Sequence, residues 1–139
     1  MRVLDTAAAR GLAAGFIGTI ALTASQRVEM AVTGRAPSDL PAQVASGVLG
    51  ISPTGRQREL VATATHWFNN TGSGLSRAAL GALGVHGAPA VAGTFVAYLG
   101  GGALLFRRLG LAHGGPSAID ALHAAVYAMA TNAAYERLG

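Results

Sequence analysis

Wound at 100° per residue, the polar positions of this chain fall on narrow stripes along otherwise apolar segments. Charged residues punctuate those segments into four long predicted helices. The first covers residues 6–33 and is uncharged from 11 to 26; the second covers 58–84 and is uncharged from 60 to 76. The third, over 89–106, opens on Pro89 as a first-turn proline and closes before Arg107 and Arg108. The fourth, over 117–137, follows the Gly114-Gly115-Pro116-Ser117 turn, with Ser117 as its N-cap. A helix rises about 1.5 Å per residue, so roughly 20 residues cross a hydrocarbon core of about 30 Å, and each segment is long enough. Between the first two lie Pro37, Pro41 and Pro53 around an apolar stretch at 40–51, whose Leu40, Val44, Val48, Leu49 and Ile51 predict a short helix along the membrane surface. The expected fold is all-α: a single transmembrane four-helix bundle with one interfacial helix.

On the second helix, Glu59, Thr63, His66, Asn70, Ser73 and Arg77 lie within about 40° of one line, with Asn69 beside it. Asp120, His123, Tyr127 and Thr131 share a face of the fourth; Thr19, Thr23, Gln26 and Thr33 share one on the first, with Glu29 to one side near the membrane boundary. Polar groups are costly in hydrocarbon unless paired or hydrated, so the three stripes are expected to enclose a polar interior between helices one, two and four. The third helix has only Thr94 and Tyr98, which point away from a Gly93, Ala97 and Gly101 face. It is expected to be a lipid-facing wall packed through that small-residue face, as Ala7, Gly11 and Gly15 would pack the first.

Composition sharpens the choice of solvent. Residues are 51% hydrophobic and 12% charged, against about a quarter charged in soluble domains. A soluble bundle would need charged faces that the third and fourth helices lack. All ten basic residues are Arg, spread without a dense run, which gives nucleic acid no footprint. The absence of Cys removes thiolate metal sites and thiol nucleophiles. Residues 1–24 have some signal-peptide character, but the helical pattern runs on to Thr33, so a retained span is expected. Arg2, Arg10, Arg77 and Arg137 stand against Arg27, Arg35, Arg56, Arg58, Arg107 and Arg108, a balance that leans slightly towards both termini outside.

Three functional readings compete for the same residues. In the first, the stripes hold the helices together and the chain is a non-enzymatic module that assembles with itself or with a larger membrane complex. In the second, His66 and His123, with Asp120 fixing the tautomer of His123, relay protons or pass a small solute between mouths at Glu59 and Arg77. In the third, His66, His123 and Asp120 hold a haem or a metal ion, with Glu29 as a further oxygen ligand; Asp120-x-x-His123 has the spacing of carboxylate-histidine pairs in bundle cores. His86 and His113 fall in connections and are expected to be solvated. Hydrolytic chemistry is disfavoured because Ser73 has no strand-turn-helix setting, and the glycines at 72–74 and 100–102 are expected to serve packing or helix loosening.

The His66-Trp67-Phe68 run, the Gly15-Phe16-Ile17-Gly18-Thr19 opening and the exit from Glu29 to Arg35 resemble those of YagU-like small bacterial inner-membrane proteins. That resemblance implies a polytopic inner-membrane protein and carries no catalytic residues.

Overall fold

A computed structural model describes residues 2–111 and 115–139, with side chains from residue 6 onward. The described chain is all-α, with five helices: α1 (Arg2–Thr33), α2 (Leu40–Leu49), α3 (Gly55–Ala82), α4 (Gly87–Arg108) and α5 (Ala118–Arg137). Two stretches, Thr6–Thr33 and Gly87–Arg108, are long and apolar enough to cross a membrane. α3 and α5 have the length, at 28 and 20 residues, but their polar stripes lower their hydropathy.

Local chemistry sets the ends. α5 opens with a capping box in which Ser117 Oγ accepts from the Asp120 N–H, while Asp120 Oδ2 accepts from the Ser117 N–H at 2.8 Å. α4 begins at Gly87, so Pro89 falls inside its first turn, where a missing N–H costs no helical hydrogen bond. α2 closes on Gly50, whose φ of +64° suits a residue without Cβ and lets its N–H reach the Ser46 carbonyl.

α1 is the central helix and packs on both α3 and α5; α4 rides on α5 and α3, and α2 lies on α3. The closest approach is glycine on glycine: Gly11 and Gly15 of α1 cross Gly74 of α3, and a Cβ on Gly74 would stand 2.7 Å from the Gly15 Cα. Of the small residues predicted to bring backbones together on the first helix, Gly11 and Gly15 do so. α2 buries Ala42, Val44 and Ala45, turns Val48 and Leu49 outward, and is tied at its start by Asp39 to Arg58 of α3.

Large apolar side chains are few in the interior, which buries Leu22, Val44, Tyr127 and Tyr135. Beside small Ala residues, the interior holds Thr19, Asn70, Arg77, Thr94, His123, Thr131 and Asn132, while Phe16, Ile20, Phe68, Leu75, Val96 and Leu104 face outward. Soluble monomers rarely expose so much large apolar surface.

α4 differs from its expectation. Thr94 is fully buried and Tyr98 turns inward, while Ala97 and Gly101 face outward. Of the glycines expected to pack, Gly93 meets Leu80 of α3, while Gly101 has open space around it. Tyr98 gains by turning inward, since its hydroxyl donates to Asn70 Oδ1, and it carries Thr94 with it, whose buried Oγ1 has no hydrogen-bond partner among the described residues.

Candidate functional site

The buried polar residues gather into three tiers between the helices. In the first, the central α1 carries Ser25 and Glu29 to α5. His123, 4% exposed, has Nδ1 2.8 Å from Ser25 Oγ and Nε2 3.7 Å from Glu29 Oε2. Glu29 also accepts from Arg35 Nε and Nη2 and from the Thr33 hydroxyl, so its charge is already neutralised. Asp120, expected to orient His123, is exposed and engaged in the capping box; Ser25 holds that imidazole instead, and Nε2 has no hydrogen-bond partner among the described residues.

The second tier assigns its own protons. The Thr23 hydroxyl donates to the Thr19 carbonyl at 2.7 Å, so across the 3.0 Å to His66 Nε2 it is the imidazole that donates. His66 Nδ1 is then free to accept from Asn70 Nδ2, whose amide also donates to the His66 carbonyl. Tyr98 of α4 donates to Asn70 Oδ1 and Tyr127 of α5 to the Asn70 carbonyl, both at 2.6 Å, and the two rings stack at 4.3 Å. Asn70 thereby joins α3 to α4 and α5 from one residue. His66 is a neutral Nε2–H tautomer in this arrangement.

The third tier surrounds Arg77, which is 0% exposed. Its Nε donates to Asn132 Oδ1 at 2.7 Å, and Nη2 lies 3.7 Å from Glu136 Oε1. The guanidinium groups of Arg77 and Arg10 each lie 4.2 Å from the centre of the Tyr135 ring, and Arg10 Nη2 donates to the Tyr135 carbonyl. Glu136 accepts in turn from the Gly87 N–H at the start of α4.

Of the predicted interior residues, His66, Asn70, Arg77, His123, Tyr127 and Thr131 come inward. Gln26 and Ser73 are half-buried, with Ser73 Oγ donating to the Asn69 carbonyl; Glu59, Thr63 and Asn69 are exposed. Ser25, Tyr98, Asn132, Tyr135 and Glu136 were absent from the predicted set. Extending the Tyr127, Thr131 series by one four-residue step reaches Tyr135, which is the signal that was there to follow.

His66 and His123 are held by different residues of α1, Thr23 and Ser25, and share no partner among the described residues. Nor do three His, Asp or Glu side chains converge there at metal-binding distance. His86 is exposed, and His113 lies outside the described residues. Two cavities are open to the outside, one of about 430 Å³ beside Ser46, Thr54 and Arg58 and one of about 410 Å³ between Val91, Phe95 and Met129. No family model, curated protein or solved structure matches the chain.

Proposed function

We propose that the chain is a multi-pass inner-membrane protein in which α1, α3, α4 and α5 span the bilayer, α2 lies in the interface, and the whole serves as a non-enzymatic assembly module. The observation that carries this reading is how the buried polar groups are used: each tier bonds one helix to another, while large apolar side chains face out. Interhelical hydrogen bonds of this kind contribute about 0.6 kcal/mol each in membranes, and small residues supply the close contacts.

The conduction reading draws on His66, Asn70 and His123. Against it, the buried Arg77 cation lies at the Arg10 and Glu136 end of the bundle, and a positive group there opposes passage of protons and small cations. Glu59, proposed as the other mouth, is exposed and has no bond to the chain through His66. The haem or metal reading has His66, His123 and Asp120 in three separate settings.

Two measurements on the purified full chain test the assembly reading. Native membranes washed with alkaline carbonate should retain it. Proteoliposomes under a pH gradient, followed with an entrapped dye, should lose the gradient no faster than protein-free vesicles. A flux abolished by His66→Ala or His123→Ala would overturn the reading in favour of conduction.

A further inference from the structure

The His123 ring stands between two groups able to accept from it, and a neutral ring donates to only one. Its Nδ1 lies 2.8 Å from Ser25 Oγ, while its Nε2, buried and without a hydrogen-bond partner among the described residues, faces Glu29 Oε2 at 3.7 Å. The imidazolium donates from both nitrogens. A charge-assisted N–H···O bond is about 2.7–2.9 Å long, so ring and carboxylate need to close by about 1 Å.

That carboxylate oxygen is already held. Arg35 donates to Glu29 Oε2 through Nε and Nη2, and Thr33 donates to Oε1. A protonated His123 and Arg35 would therefore compete for one oxygen. Arg35 belongs to the connection between α1 and α2. Gly34, just before it, has a φ of +71°, and a Cβ placed there would meet nothing within 4 Å, so the chain is free to turn at that point. A second acid is in range: the Arg35 guanidinium is held in its charged form by Glu29 first and, at longer range, by Asp120. Asp120 accepts from Ser117 through Oδ2, which leaves Oδ1 for Arg35.

The remaining charged and titratable groups on the surrounding helices are committed or turned outward. Arg27 of α1 and Glu59 of α3 are exposed, as are Arg107 and Arg108 at the end of α4. His66 of α3 is bonded to Thr23 and Asn70, and Tyr98 of α4 and Tyr127 of α5 both donate to Asn70. Glu29 is the acid that faces His123.

We propose that His123 is the trigger of an acid-driven switch at the exit of α1. Protonated, it takes Glu29 Oε2 from Arg35, and Arg35 passes to Asp120, so that each of the two cations has its own acid. The outcome is a charge-assisted bond clasping α1 to α5 and a released connection after Thr33, while Asp39 and Arg58 keep α2 on α3.

The chain has no Cys, so a nitroxide on Ala36→Cys, exposed in the connection, reports on it in the full protein in liposomes. Between about pH 8 and pH 5, where histidine side chains gain their proton, its spectrum is expected to shift from a slow to a fast component. His123→Gln should keep the slow component throughout, and Glu29→Gln should show the fast one at both ends. A spectrum that does not change with pH, or a change that persists in a His123→Gln protein of unaltered helical circular dichroism, overturns the proposal. Nitrogen NMR of the unsubstituted chain needs no variant: protons on both His123 nitrogens at the acid end are expected, and a ring still carrying one overturns the switch.

Discussion

Replacing Gly74 by Ala should separate the two most closely packed helices. A Cβ at this position of α3 would press on the Gly11 carbonyl oxygen and stand 2.7 Å from Cα and 2.8 Å from N of Gly15. Carbon atoms rest at about 3.5–4.0 Å, so α1 and α3 must part by close to 1 Å at their crossing. Every neighbour involved is backbone, and no side-chain rotation relieves the clash. Overpacking of this size costs about 1–3 kcal/mol, and the propensity of Ala over Gly in a helix returns about 0.5–1 kcal/mol of it. The expected net loss is up to about 2.5 kcal/mol. Gly72, one turn-half away, supplies the reference because a Cβ there meets nothing within 4 Å. Gly72→Ala should therefore be neutral or stabilising by up to about 1 kcal/mol. Reversible unfolding in mixed SDS micelles, followed by circular dichroism, compares the pair. A Gly74→Ala protein as stable as Gly72→Ala would refute the glycine crossing and the placement of α1 at the centre of the bundle.

Asn132→Leu takes the acceptor from the buried Arg77 Nε and is expected to cost about 1.5–3 kcal/mol, whereas Arg77→Met combined with Asn132→Leu removes the charge and its partner together and is expected to recover most of that loss; the same unfolding assay separates them, and equal losses would contradict the described environment of Arg77. The Arg58 guanidinium holds the Asp39 carboxyl below the usual aspartate range. The stabilisation this pair gives is thus complete above the ordinary aspartate pKa of about 3.9 and is lost as pH falls through the lowered value. NMR titration of the α2 amides in micelles should show α2 loosening only in that acid range, and Asp39→Asn should remove the pH dependence.

Helix boundaries were largely legible because uncharged runs, Pro89 and Ser117 are local signals, and α1 matched through Thr33. Azimuth was legible on α3 and α5 but not on α4, where Thr94 and Tyr98 turn inward, and a helical wheel gives direction without depth or tilt. On α3 the single polar stripe is buried at Asn70 and Arg77 yet exposed at Glu59 and Thr63, because neighbouring helices cover only part of its length. Asp120 was ambiguous for a different reason. Its spacing to His123 suggested a tautomer partner, but its spacing to Ser117 is that of a capping box, and a cap formed within one turn wins over a longer reach. Arg10 was legible only as a flank charge; its stacking on Tyr135 depends on α5 returning beside the start of α1, which no local pattern encodes.

In hydrocarbon, apolar side chains gain little by leaving lipid for one another, so cohesion must come from close backbone contact and from polar bonds. The bundle divides these between its interfaces. α1 meets α3 through glycines and through the Thr23 to His66 side-chain bond. α5 is joined to α1 through Ser25 and Arg10 and to α3 through Asn70 and Arg77. α4 has the Tyr98 bond and the Gly87 to Glu136 bond near its two halves, a stacked pair of tyrosines, and the Gly93 contact with Leu80. Of the four long helices, α4 has the fewest such ties and also carries unused glycines. With Gly100, Gly101 and Gly102 meeting no neighbour, it is the most loosely held of the four.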